Sequence, residues 1–291
     1  MQHSKLLYAK GIIKNRKMLT QSQYEDYKLV CRLEHIKTFY SSIKAICFSE
    51  FGTLQASEDG LLITVEQGKS IQATLFIAPE FFAEFKVDGA QNFSIKISVL
   101  AECLSLFGLS DCSVKMLYKG EGAPLLLLLE PHDDEQVSTE CSIKTTNVEE
   151  PMEYELDSNS SSLNKIFMRG PDMSHIFHEL DKAADEYEFT ISPLKPHFKI
   201  TTLGVMQAES SVEVAKSSDM IILFNCRATT VARYKSQQIR LTNKALQVAT
   251  KVAIKTDDSG LLELHFMMQA DDEEEMYVRF FITPLLELDA N

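Results

Sequence analysis

The sequence predicts an α+β protein built as two tandem domains, each with two helices on a mostly antiparallel sheet. Three observations predict it. Both halves run through the same order of elements: strand, helix, several short strands, helix, three strands. The 291 residues exceed one average domain and suit two of about 130 residues each. Between the halves, residues 146–162 (NVEEPMEYELDSNSSSL) combine acids, one proline and a serine run, the composition of an exposed connector.

The first half opens with a strand at Tyr27–Leu33 and a helix at about His35–Ile46. In that helix Ile36, Phe39, Ile43 and Ile46 recur at threes and fours, which marks one buried stripe. Strands follow at 47–57, 60–66 and 70–77, with SEDG at 57–60 as a hairpin turn whose Asp-Gly supplies positive φ angles. Strands near 82–87 and 91–97 lead to a second helix at Ser98–Phe107, with serine in capping position and Gly108 as the stop. Strands at 112–119, 123–130 and 136–145 finish this half.

The second half begins with a strand at 163–169 and a helix starting after Pro171, where proline is tolerated in the first turn. Strands at 187–192, 197–203, 208–215, 219–226 and about 233–240 precede a short helix at roughly 242–250. Strands at 251–257, 261–269 and 276–283 complete the set, and DDSG at 257–260 echoes the earlier turn. The domain map is a basic extension at 1–24, a first domain at 25–145, the linker at 146–162, a second domain at 163–284 and a tail at 285–291.

Composition excludes several classes. Apolar residues make up 45% of the chain, yet no run of eighteen occurs, so no helical membrane span is expected. The six cysteines (Cys31, Cys47, Cys103, Cys112, Cys141, Cys226) form no CxxC pair and cluster with no histidine. They read as small buried hydrophobes of a reduced intracellular protein, without metal or disulfide framework. A net charge of −13 argues against nucleic-acid binding over the whole surface but permits it on a segregated face. The acids concentrate at 130–135, 149–155 and 271–275, whereas residues 1–24 carry five cations and no acid.

Catalytic chemistry finds little support. A magnesium-dependent 3′-5′ exonuclease needs carboxylates converging on a metal. The candidates Asp133, Asp134, Glu135, Asp257, Asp258 and the run Asp271 to Glu275 stand in contiguous turn-like runs that read as solvated loops. The seven histidines are scattered, and His175 with His178 lacks a third ligand. There is neither a GxSxG motif nor a glycine-rich phosphate loop, so no cofactor is expected and any ATP handling belongs to a partner.

Several stretches carry a resemblance. They are LEHIKTFYSSIKAI (33–46), GLLITVEQGKSIQATLFIAPEFFAEFKV (60–87), LAECLSLFG (100–108), ISPLKPHFKITTLG (191–204), RYKSQQIRLTNKAL (233–246) and KVAIKTDDSGLLELHFM (251–267). In order and spacing, from about Met18 to Pro284, the chain resembles the sliding-clamp superfamily of the proliferating cell nuclear antigen, and within it the Rad-one family. The resemblance implies curved antiparallel sheets with two inner helices per domain. It implies a nuclear, non-catalytic subunit of a heterotrimeric DNA-damage checkpoint clamp, with Rad-nine-like and Hus-one-like partners. An ATP-dependent loader sets such a ring on double-stranded DNA, where it recruits checkpoint activators and repair enzymes. A homotrimeric replication clamp remains the alternative of the same fold.

The resemblance also implies roles for residues. Lys37, Ser41 and Lys44 in the first helix, and Lys244, Gln247 and Lys251 in the last, fall on one face each. Inner helices of a clamp meet phosphates through such lysines, and on any other protein they would be a solvated face. The second helix offers Glu102 and Ser105, the third His175, His178, Glu179 and Lys182, so a weaker positive field is expected there. Ring closure would use the edges of strand 136–145 (Val137, Thr139, Cys141, Ile143) and strand 208–215 (Ser211, Val212, Val214). The linker would lie over the outer face of the first domain, with Val148, Pro151, Met152 and Tyr154 lining or shielding a client-peptide groove.

Overall fold

The computed structural model describes residues 26–106, 112–132, 138–156, 163–204, 209–269 and 275–286. The extension 1–24, the helix stop at Gly108, the acids 133–135 and 271–274, Val137, linker residues 157–162 and the tail from 287 lie outside the described residues.

The chain forms two compact units, residues 1–64 with 76–150, and residues 65–75 with 151–291. The first unit contains β1 (Leu29–Leu33), α1 (Ile36–Ile46), β2 (Phe51–Ser57) and β3 (Gly60–Gln67), whose last three residues fall in the second unit. After β4 (Ile71–Ile77), whose first five residues likewise belong to the second unit, come β5 (Glu84–Val87), β6 (Gln91–Lys96) and α2 (Ile97–Leu104). The strands β7 (Cys112–Tyr118), β8 (Leu125–Pro131), β9 (Thr139–Ile143) and the two-residue β10 (Thr145–Thr146) end it.

The second unit runs β11 (Asn164–Arg169), α3 (Gly170–Glu179), β12 (Glu186–Ile191), β13 (Phe198–Leu203), β14 (Glu209–Val214) and β15 (Ile221–Asn225). It continues with β16 (Thr230–Lys235), α4 (Ser236–Leu241), α5 (Asn243–Leu246), β17 (Lys251–Thr256), β18 (Leu262–Gln269) and β19 (Glu275–Ile282). The two units share one topology. In the first, hydrogen bonding orders the strands β5-β1-β7-β8-β9 and β6-β2-β3; adding ten to every label gives the second unit's β15-β11-β17-β18-β19 and β16-β12-β13. The expected repeat is therefore present in the pairing itself, with each unit's strands shared between two hydrogen-bonded groups.

Local chemistry accounts for the elements. On α1 the predicted stripe Ile36, Phe39, Ile43 and Ile46 is buried. Along β8, Leu125, Leu127 and Leu129 are buried and alternate with partly exposed Leu126 and Leu128. The turn at 57–60 closes β2 onto β3 with Ser57 opposite Gly60, and Ser57 Oγ accepts the Asp59 amide. Gly60 stands at φ +136°, and a Cβ there would collide with the Ile77 carbonyl. In the matching turn, Asp257 Oδ1 accepts from Ser259 Oγ and from the Leu261 amide.

Three of the boundaries that differ from expectation have a visible local cause. The second helix is preceded by Lys96, not capped by a serine; β6 runs straight into α2 and Ser98 is an exposed residue inside it. The strand expected at 233–240 ends at Lys235, because Ser236 turns inward, is buried, and donates to the Ala184 carbonyl, starting α4. The helix expected at 242–250 is instead split: Thr242 is fully buried and its hydroxyl donates back to Ile239 O, ending α4 before the one-turn α5. All six cysteines are free, with Cys31, Cys103 and Cys112 buried and the other three partly exposed.

Gly170 opens α3 against the end of the α5 segment, where a Cβ would meet the Ala249 carbonyl oxygen. Gly170→Ala is expected to lower stability by about 2–3 kcal/mol through this overpacking. Urea unfolding should record an earlier midpoint at unchanged slope.

Candidate nucleic-acid interface

In the first unit α1 packs beside α2. The buried stripe of α1 leaves Lys37 and Lys44 exposed and Ser41 half-buried. Lys44 Nζ lies 5.6 Å from the centre of the Tyr40 ring, and among the described residues neither lysine is ion-paired. The polar face of α2 carries Glu102 and Ser105, whose hydroxyl donates to the Glu102 carbonyl. Lys96, ahead of α2, is held by Glu50 at 2.6 Å.

In the second unit Lys244 and Gln247 are exposed at α5. Lys251 does not share their helix. It is the first residue of β17, opposite Arg169 of β11, in the row 251, 253, 255 that faces away from buried Val252, Ile254 and Thr256. A helical spacing cannot hold across the turn that ends α5. Lys182 likewise lies past the end of α3, while His175 and His178 are exposed on it and His178 Nδ1 is 3.8 Å from Glu179. Arg240 is taken up by the Ala184 carbonyl. Lys235, exposed at the start of α4, is a further cation on this unit that the misplaced strand had concealed.

The two strands expected at ring closure are sheet edges: β9 pairs only with β8 and β14 only with β13 among the described residues. On β9, Thr139, Cys141 and Ile143 turn inward and Glu140 and Ser142 outward. Cys141 meets Cys103 of α2 thiol to thiol, a hydrogen bond that pushes the Cys103 thiol up and holds the Cys141 thiol down. On β14, Ser211 is exposed, Val212 half-buried and Val214 buried.

The linker, expected as an exposed connector, is fastened at Met152 and Tyr154 to residues 66–72 and to β19, all of which fall in the second unit. The Met152 amide donates to Glu66 Oε2 at 3.0 Å, and its carbonyl accepts from Gln72 at 2.6 Å. Tyr154 donates to Lys69 O and stacks on Phe281 of β19. Pro151 is partly exposed in the same unit, and Val148, also partly exposed, precedes the division.

The same sheet face holds a charge cluster that the sequence did not announce, because its members come from four strands. Buried Glu263 accepts from Lys255 at 2.7 Å, with Arg279 at 3.9 Å and His265 Nδ1 at 3.7 Å. Burial, then Arg279, Lys255 and Lys165, push His265 down to about 4. Burial and these cations outweigh the nearby carboxylate, so the imidazole is neutral and sits edge-on to Tyr277. Among the described residues no three His, Cys, Asp or Glu side chains gather as a metal site.

Since folding depresses this histidine's pKa, the unfolded chain takes up a proton that the folded chain refuses. Stability is therefore lost as pH falls from about 6.5 toward 4. His265→Gln should remove about 2 kcal/mol of the loss between pH 7 and pH 5, measured as the difference between two urea-unfolding pH profiles.

The family model described as repair protein Rad1/Rec1/Rad17 matches residues 28–268. The chain is 60% identical over 268 residues to the DNA repair protein Rad1 of Drosophila melanogaster, covering 92% of this chain and 98% of that one. It is 35% identical to the cell cycle checkpoint protein RAD1 of Homo sapiens over 270 residues, covering 91% and 94% of the two chains. In fold it is similar to the proliferating cellular nuclear antigen of Entamoeba histolytica, with a TM-score of 0.69 at 14% identity, covering 89% of this chain and all of that one.

Proposed function

Because the chain belongs to the Rad1/Rec1/Rad17 repair-protein family and has the sliding-clamp fold, we propose that it is a non-catalytic subunit of a heterotrimeric checkpoint clamp. In this reading the ring encircles double-stranded DNA in the nucleus, is placed by an ATP-dependent loader, and recruits checkpoint and repair proteins. Its companions are two related clamp subunits of the Rad-nine and Hus-one kinds.

One observation carries the proposal. In the second unit, residues 65–75 lie alongside β19, with the Thr283 amide donating to Ser70 O. The counterpart of β19 in the first repeat is β9, and the counterpart of β4 in the second is β14; both are open edges. The chain thus presents one unfilled edge of each kind. A head-to-tail contact between β9 of one subunit and β14 of the next fills both, and such heterologous contacts close into rings when the rotation permits. Thr139, Cys141, Ile143, Ser211, Val212 and Val214 then stand at the subunit joints.

The DNA-facing role falls to Lys37, Lys44 and Lys244; Lys251, in the row turned from the core, is left out of it. Three lysines on a chain of net charge −13 make a modest grip, and topology does the holding. The linker residues Met152 and Tyr154, seated against Glu66, Gln72, Lys69 and Phe281, would border the client groove.

Light scattering should find the chain alone as a monomer and, with its two companions, one three-subunit particle; a stable homotrimer would overturn the heterotrimer in favour of a replication clamp. The pair Ser211→Lys and Val212→Lys should weaken assembly at least tenfold without changing the monomer's melting temperature. Reversing Lys37, Lys44 and Lys244 to glutamate should reduce the salt slope of the ring's DNA affinity by roughly two to three. An unchanged slope would remove these helices from the DNA path.

A further inference from the structure

We propose that the free edge of β15 docks an extended acidic segment of a partner protein, which adds to the sheet as a further strand. Every other described sheet edge bears a charge, is very short or is covered, including the open edges β9 and β14. β5 bears Glu84, bonded to both Lys115 and Lys86, and β10 is only two residues long. β9 turns Glu140 outward, β14 carries Glu209 and Glu213, and β16 receives the Leu285 amide at Arg233 O. Natural edges are blunted by charge, shortness or cover in these ways.

β15 has none of these protections. Its sequence IILFN holds no charge, Ile222 is 51% exposed and Leu223 42%, and no described strand lies beyond it. The register of β15 against β11 shifts at Phe167/Met168, which leaves Ile222 outside the pairing. Its counterpart in the first unit, β5, covers the equivalent position with ion pairs, so the topology does not require an apolar edge here.

The charge next to this edge selects the occupant. Lys165 of β11 stands between Asn225 of β15 and Lys255 of β17, directly opposite each. Two lysines opposed across a ladder normally destabilise it. Glu263 answers Lys255, while Lys165 has no carboxylate among the described residues and rests over the Phe167 ring at 4.7 Å.

A strand added beyond β15 would run roughly 10 Å from the Lys165 backbone, within the joint reach of lysine and glutamate side chains. Its alternate residues would meet Leu223 on one face and Ile222 on the other. The fitting partner is therefore an extended peptide alternating acidic and apolar residues. The chain's own residues 1–24, basic and free of acids, have the wrong sign. A nucleic acid would use the lysine but not the backbone edge or the exposed leucine.

The test uses the full chain and a fluorescein-labelled twelve-residue peptide alternating glutamate and valine, followed by anisotropy. Micromolar binding is expected, lost at least tenfold in Lys165→Glu and about threefold in the milder Lys165→Gln, with both variants melting as the parent does. A lysine-for-glutamate peptide should not bind. Of two peptides N-methylated on alternate residues, one should lose binding and the other keep it, since only one set of amides faces β15. Hydrogen exchange should slow within 221–225 and stay unchanged within 139–143. No binding, equal binding by Lys165→Glu, or retention by both N-methylated peptides would overturn the proposal. Competition by single-stranded DNA with the same Lys165 dependence would also overturn it, in favour of a phosphate site.

Discussion

A hydrogen-bonded antiparallel ladder satisfies every interior backbone group and leaves a row of donors and acceptors wherever it ends. That constraint organises this molecule. Two units with one topology generate the same kinds of edge twice, and the chain treats each differently. One is accompanied by residues 65–75 of the chain itself, some carry charges, and one is shortened to two residues. Among the described edges, β9 and β14 remain open with mixed polar surfaces, and β15 with an apolar one.

The second organising element is the separation of charge. The chain is strongly acidic, yet the lysines of α1 and α5 are exposed and without ion pairs among the described residues. Lys255 of β17 and Arg279 of β19 converge on a single buried carboxylate, Glu263. A surface that is negative on average but positive on chosen faces confines favourable contact with anions to those faces. Burial in that cluster sets the chemistry of His265 more strongly than the adjacent acid does, because desolvation and three cations act in the same direction.

What the sequence determined by itself is what depends on neighbours a few residues apart. The stripe Ile36, Phe39, Ile43, Ile46 reports a helix because a 3.6-residue repeat buries one side, and the turns at 57–60 and 257–260 are legible because Asp and Gly solve a local backbone problem. The order of elements in both halves follows from such signals, and with it the tandem α+β fold and the family resemblance. The exposure of Lys37, Lys44 and Lys244 was legible for the same reason. What only the tertiary structure decided depends on partners distant in sequence. The break at Thr242 and the inward turn of Ser236 rest on burial against other elements, and they displaced Lys251 from a helix face to a strand. Met152 and Tyr154 are fastened by Glu66, Gln72 and Phe281, which no composition of a linker reveals. Above all, a strand's sequence states its alternation but not whether a neighbour takes its outer hydrogen bonds. β9, β14 and β15 became edges only once the register of every other strand was settled.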